Sequence, residues 1–363
     1  MDKQVGTPKT ISRMNKRLIM NALLQDGPNS RADLVKKLHI SFPSLSANVR
    51  DLIALGLIRE GSVGNQNSIG RNSTLIYAND AYSYVAGIEV DKGTFKIAIA
   101  KFNGEIIRYE TVKFAISDRM AVIVDQLVEA IGRITRDLPD AQAKLKTIAL
   151  GMHGVHNLAK SKNYLQLQDM TPIETEIAKR LNVHVIVDND VNMAVLGERW
   201  KLGWEATYRN IVYVTVGGGI GAGILINGEL YNGVHNAAGE FGNMLFFPPD
   251  RNDSPDRIPQ DLETIIGKLN DPAQPGLTAL QIDYLSMAMV NLIAVLNPEL
   301  IVIGGPDGEK LMGYRERILP FVEKYIPTSL PDVVASRTKD RATVYGAIST
   351  ALDYARNDIF SNL

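Results

Sequence analysis

The residues best equipped for chemistry fall in four short runs. The first is Val185-Ile186-Val187-Asp188-Asn189-Asp190-Val191-Asn192. An apolar stretch that reads as a buried strand stops on an acid-amide-acid sequence, and residues 193–200 continue as a helix. Such a junction puts its polar residues at the carboxyl edge of a sheet, where open α/β sheets bind ligands. Asn189 donates and accepts hydrogen bonds and Asp190 accepts several, which suits a polyol. The same residues also make an ordinary helix cap. The second run, Gly217-Gly218-Gly219-Ile220-Gly221-Ala222-Gly223, lets backbone amides approach an anion unobstructed, and it serves a tight strand turn equally well. Gly304-Gly305 after a strand is a fainter version. In Gly239-Glu240-Phe241-Gly242 and Asp261-Leu262-Glu263, carboxylates flank a loop carrying Pro248, Pro249, Pro255 and Pro259. Glu240 and Glu263 can meet one ligand from two sides or simply face solvent. His39, His153, His156, His184 and His235 show no metal-ligand spacing, and the absence of cysteine removes thiolate sites and disulfides.

These runs need a scaffold, and the sequence around them repeats. Residues 84–114 read as two strands about Phe102-Asn103-Gly104-Glu105-Ile106, and residues 210–231 as two strands about Ile226-Asn227-Gly228-Glu229-Leu230. Asn-Gly between apolar runs is the strongest short hairpin signal. Each hairpin is joined to a glycine-bearing turn, Asp91-Lys92-Gly93-Thr94 in the first and residues 217–221 in the second. Helices are expected at 120–137, 175–181 and 278–296, with apolar strands at 145–150 and 300–303. Two similar α/β halves imply a duplicated domain with a cleft between the copies. A last helix, near 341–356, is expected to fold back on the first half. This gives one lobe of 84–194 plus 340–363 and a second of 195–339.

Residues 1–80 read differently. Helical spacing at 16–24 ends at Gly27-Pro28; Ser30 caps a second helix at 31–38; a turn at His39-Ile40-Ser41 leads to a third at 43–55. Residues 57–59 and 72–77 read as strands joined by a Gly- and Asn-rich tip at 61–70. This is a winged helix-turn-helix pattern. Its third helix is expected to present Ser44, Ser46, Asn48 and Arg50 to DNA, with Arg31 and Arg71 near the backbone phosphates. Residues 79–84 form the joint to the body.

Charge supports that division. Residues 1–80 hold 11 Lys and Arg against 6 Asp and Glu, about +5, so the rest carries about −6 of a net −1. A basic segment on an acidic body points to separate partners for each. The amino terminus lacks a signal-peptide core. No run is expected to approach the ~18 apolar residues of a membrane span, so a cytoplasmic protein is expected.

Taken together, Asp188-Asn189-Asp190-Val191-Asn192 with Leu196-Gly197-Glu198, Thr215 to Gly223, Ala237-Ala238-Gly239-Glu240-Phe241-Gly242, and Asn297-Pro298-Glu299 with Gly304-Gly305 resemble the ROK family of sugar kinases and repressors. The helix-turn-helix in front resembles its repressor branch, which includes xylose and N-acetylglucosamine repressors. The resemblance implies an actin-like, hexokinase-like (ribonuclease H-like) two-lobed body. Sugar would lie between the lobes on Asn189, Asp190, Glu240, Asn243 and Glu263. Asp190 takes the position of the kinase base, and Gly217, Gly218, Gly219 and Gly221 the phosphate-binding segment. Partners would be a monosaccharide or sugar-derived effector and palindromic double-stranded operator DNA, bound by a homodimer or dimer of dimers, with no membrane involved.

Three departures from the family pattern matter. Asn243 stands where the zinc-binding histidine is expected and the cysteines are missing, so no metal or other cofactor is expected. Glu89-Val90-Asp91-Lys92-Gly93-Thr94 replaces the first phosphate loop, Asp-x-Gly-Gly-Thr, so no catalytic residue and no kinase activity is expected. Phosphoryl transfer depends on positioning and charge stabilisation, and a carboxylate near a phosphate costs roughly 4 kcal/mol at 4 Å with an effective dielectric near 20. Lys92 is placed to offset part of that. Gly151-Met152-His153-Gly154 lacks the usual proline before its last glycine.

Overall fold

The computed structural model describes residues 8–361 except 63–73, 92, 118, 154–172, 205–206, 218, 248–257 and 268–275. The wing tip, Arg71, Lys92, Gly218 and most of the proline-rich loop therefore lie outside the described residues.

The amino-terminal module contains α1 (Pro8–Asp26), β1 (Asn29–Ser30), α2 (Arg31–Leu38), α3 (Phe42–Ala54), β2 (Ile58–Ser62) and β3 (Thr74–Ala78). Its strands form an antiparallel sheet in the order β1-β3-β2. Ser30 caps α2 by accepting from Asp33 N, and His39 takes the left-handed conformation that ends it, φ +53°. Ser41 caps α3, and Pro43 lies in its first turn. Leu34, Leu45, Val49, Leu52 and Ile76 close the core over Ile19 and Leu23 of α1.

Two five-stranded sheets follow, each three antiparallel strands extended by two parallel ones. The first is β6-β5-β4-β7-β8, built from β4 (Tyr84–Asp91), β5 (Thr94–Lys101), β6 (Ile106–Lys113), β7 (Leu145–Met152) and β8 (His184–Asn189). α4 (Met120–Thr135), the short α5 (Ala141–Lys144) and α6 (Ile173–Leu181) connect them, and α7 (Asp190–Leu202) leaves β8 without a break. The second is β11-β10-β9-β14-β15, built from β9 (Ile211–Val216), β10 (Ile220–Ile226), β11 (Glu229–Leu230), β14 (Leu300–Gly304) and β15 (Asp332–Ala335). Between β11 and β14 come the small ladder of β12 (Leu245–Phe246) and β13 (Gln260–Asp261), then α8 (Leu262–Ile266) and α9 (Ala279–Leu296). α10 (Gly308–Met312) and α11 (Arg315–Tyr325) precede β15, and α12 (Ala342–Ser361) closes the chain. The shared strand order is the internal repeat read from the sequence.

Three expectations need correction. The strand before Asp188 is not buried: β8 is an edge strand and is half-exposed along most of its length. A helix apolar and long enough for a membrane does exist by composition, α9, but it packs as a core helix of the second lobe through Ile282, Leu285, Met289 and Ile293. The last helix runs five residues past 356, because Ile359 and Phe360 carry its apolar face beyond the polar Asn357-Asp358.

The lobes are joined where α7 crosses α12. A Cβ on Gly197 would lie 1.9 Å from Ala342 O, and one on Gly346 would lie 1.7 Å from Met193 O. The two backbones touch there, which only glycine permits.

Candidate functional site

The cleft is assembled from both lobes. On the first, Asn189 keeps its capping duty, its side chain accepting from Val191 N at 3.1 Å. Asp190 Oδ1 accepts from the same amide at 2.9 Å, leaving Oδ2 turned toward His153 Nδ1 at 3.6 Å. Asp188 Oδ1 accepts from Asn189 N and from Asn192 Nδ2. Asn192 in turn reaches Asn232 Oδ1 of the second half at 3.2 Å. Cap and cleft wall are therefore the same residues.

On the second lobe, Glu240 and Asn243 flank a single 3-10 turn, and Asn243 Nδ2 donates to Glu240 Oε2 at 3.1 Å. Glu263, in the first turn of α8, accepts from Ile220 N at 3.0 Å, which ties it to the glycine turn. A Cβ on Gly219 would meet Glu263 Oε2 at 3.4 Å and His153 Cε1 at 3.7 Å. A Cβ on Gly242 would lie 3.1 Å from Glu263 Oε2. An unbroken set of neighbours thus runs from Asp190 through His153, Gly219, Glu263 and Gly242 to Asn243 and Glu240. Four of the five residues expected to touch a sugar, Asp190, Glu240, Asn243 and Glu263, lie along it, and Asn189 immediately precedes Asp190.

Two amides of the glycine turn already have partners within the protein. Gly217 N is spent on Gly219 O and Ile220 N on Glu263. The carboxylate of buried Asp307, at the start of α10, packs against Gly217 and pairs with Lys310 at 3.3 Å. Across the cleft, the Glu89 side chain is only 15% exposed and pairs with Lys96 at 3.2 Å. Burial pushes the Glu89 carboxyl up to about 7, the Lys96 charge and hydrogen bond opposing it and the charges of Asp190 and Asp91 adding to it. Lys96, which also donates to Asp340 O at 2.9 Å, is the partner that sequence reasoning missed.

On the helix-turn-helix module the exposed residues of α3 are Phe42, Pro43, Ala47, Arg50, Asp51 and Ala54, with Ser44, Ser46 and Ile53 half-exposed; Asp51 pairs with Lys16 of α1 at 2.9 Å. Asn48 is not among them. The side chain is 4% exposed, donates to Ser44 O at 2.8 Å and accepts from Ser12 Oγ of α1 at 2.7 Å. It follows Leu45 by three residues and so shares the buried stripe. Ser44 likewise accepts from Asn15 Nδ2 of α1 at 3.3 Å. Arg31 is committed to an ion pair with Glu60 of β2. Arg50 is left as the basic residue on the exposed face.

Comparison with known proteins fits this arrangement. Residues 85–254 match the model of the ROK family, and residues 15–59 that of a winged helix-turn-helix DNA-binding domain. The chain carries a ROK family domain behind a winged helix-turn-helix. It is 22% identical to the xylose repressor of Caldicellulosiruptor bescii, over 96% of this chain and 98% of that one. Its fold superposes with a TM-score of 0.70 on a ROK family transcriptional regulator that is a homolog of the E. coli MLC protein, at 22% identity and covering 96% of this chain and 98% of that one. The ROK hexokinase of Thermus thermophilus superposes with a TM-score of 0.60, at 22% identity, over 75% of this chain and 99% of its own. The body is the actin-like, hexokinase-like fold. Within this ROK domain, His153 is the cleft residue least visible beforehand. Its one signal was the missing proline in Gly151-Met152-His153-Gly154.

Proposed function

We propose that this chain is a sugar-responsive DNA-binding transcriptional repressor of a carbohydrate uptake or catabolic operon, acting in the cytoplasm. One observation carries the reading: a winged helix-turn-helix with an exposed α3 is joined to a two-lobed body whose cleft converges Asp190, His153, Gly219 and Glu263 from both lobes. The likeness to a xylose repressor along nearly the whole of both chains supports it. As a homodimer, the protein would set two α3 helices in adjacent major grooves, about 34 Å apart, on a palindromic operator. Sugar held on Asn189, Asp190, Glu240, Asn243 and Glu263 favours one lobe arrangement, and operator affinity changes by the difference in sugar affinity between arrangements, commonly ~1–3 kcal/mol.

Phosphoryl transfer is not part of the proposal. The amides of Gly217 and Ile220 are occupied by protein groups, Asp307 packs against Gly217, and Glu89 lies close enough to Asp190 on the first lobe for their charges to interact. The loop after Asn243 is proposed to hold its shape without metal, so a chelator should leave the melting temperature unchanged.

The decisive experiment measures operator binding by fluorescence anisotropy with D-xylose, D-glucose and N-acetyl-D-glucosamine, for wild type and Asp190→Asn. One sugar should weaken wild-type binding while the variant still binds DNA but ignores the sugar. A coupled assay with Mg-ATP tests the enzyme alternative. Turnover above about 1 per second, abolished by Asp190→Asn, would overturn the non-enzymatic reading.

A further inference from the structure

His153 is a first-lobe residue whose side chain reaches Gly219 in the glycine turn of the second lobe. Its Nδ1 is 3.6 Å from Asp190 Oδ2, beyond hydrogen-bonding range but close enough for a single oxygen to touch both. Its Cε1 is 3.7 Å from the Cβ position of Gly219, whose turn is anchored by Glu263. The imidazole side chain is 46% exposed and the Asp190 side chain 29%, so a ligand in the cleft has access to both. An imidazole nitrogen donates or accepts as the partner demands, whereas the neighbouring carboxylate only accepts. A hydroxyl, which does both, is the group that can bond to both members of this pair at once.

We propose that His153 is a specificity-determining residue of the sugar site, clasping together with Asp190 one hydroxyl of an uncharged sugar. The inference rests on the sugar-cleft reading above. Charge sets the ligand class. Asp190 of the first lobe and Glu240 and Glu263 of the second line the same cleft, and Glu89 is close enough to Asp190 for the two charges to interact. An added anion near such carboxylates is repelled by several kcal/mol at about 4 Å. The site therefore takes a neutral monosaccharide in preference to a sugar acid or a sugar phosphate. A side chain at 153 that spans the lobes also makes sugar contact depend on lobe closure, which links recognition to the response.

The test is calorimetric titration of the full chain with D-xylose, D-glucose, their monodeoxy analogues, D-glucuronate and D-glucose 6-phosphate. Losing one such hydrogen bond should weaken the best-binding neutral sugar about tenfold in His153→Ala, while His153→Gln, which keeps a donor and an acceptor, stays within about threefold. One deoxy analogue should bind wild type and His153→Ala equally, a coupling that a purely structural role would not produce. Because the side chain is half-exposed, the unliganded melting temperature should move little. Equal affinity of wild type and His153→Ala for a sugar that binds overturns this inference alone, as does an equal loss across every deoxy analogue. Tighter binding of D-glucuronate or D-glucose 6-phosphate than of D-glucose overturns the ligand class. If wild type binds none of the six kinds of probe, the sugar-cleft reading itself fails and takes the inference with it.

Discussion

Glu89 is a buried carboxyl beside the cleft, close enough to Asp190 for the two charges to interact. It is held at 15% side-chain exposure beside Lys96, and burial pushes its carboxyl up to about 7 from 4.5. Because the folded-state value is raised, the folded protein binds more protons than the unfolded chain between about pH 4.5 and pH 7. Stability must therefore fall as pH rises through that window and level off on either side, by at most ~3 kcal/mol. Glu89→Gln removes this dependence. The wild-type melting temperature should decline relative to the variant from pH 5 to pH 7.5, and parallel profiles would show that Glu89 is not held in this way. The position of Glu89 in a phosphate-loop-like segment was legible in the sequence. Its partner was not, because Lys96 reaches it across an antiparallel register that pairs the two residues directly.

Helices α7 and α12 place these residues, and their contact is set by two glycines. A methyl at residue 346 would meet Met193 O at 1.7 Å and one at residue 197 would meet Ala342 O at 1.9 Å, both backbone atoms that cannot swing away. Gly346→Ala should cost at least about 1–3 kcal/mol of overpacking, read as a melting temperature lower by several degrees. On α3 the prediction is of two kinds. Arg50→Ala should weaken operator binding and flatten its salt dependence, because an exposed cation is lost without disturbing packing. Asn48→Ala should instead lower the stability of the module, because its buried amide bridges α3 to Ser12 of α1. Helical periodicity identified the third helix and its caps from the sequence, and the strand-acid-helix junction located the cleft wall. Periodicity alone could not tell that Asn48 lies on the buried stripe, since a polar residue beside Leu45 and Val49 reads as exposed until its partner on a distant helix is known. His153 was equally hidden: what makes it a cleft residue is the approach of Gly219 from the other lobe.

At the scale of the whole molecule, α12 connects the interlobe cleft to the winged helix-turn-helix module. Near its start it touches α7 at Gly346, and near its end Phe360 is 5% exposed within the same buried cluster as Ile19, Leu52 and Ile76 of the helix-turn-helix. Phe102, at the β5–β6 turn, joins that cluster. Arg356 of α12 donates to Phe102 O at 2.9 Å, and Phe102 N donates to Asp80 O at 3.2 Å in the joint. Asp353 lies in the same region. Burial raises its carboxyl pKa, while the charges of Arg356 of α12, Arg199 of α7 and Arg17 of α1 pull it back down. Three parts of the fold thus share one charged group. On the proposed function, a change in lobe arrangement that moves α7 against α12 is expected to reach the module through this end of the helix. Phe360→Ala should loosen that connection, at a core cost of about 3–5 kcal/mol, while leaving the outer face of α3 in place. The expected result is a protein that still binds operator DNA, more weakly, and whose binding no longer changes when the sugar that acts on wild type is added. Phe360→Leu, which keeps an apolar anchor, should restore the response. If Phe360→Ala retains the full sugar response, the coupling runs instead through the joint at residues 79–84 and the β5–β6 turn.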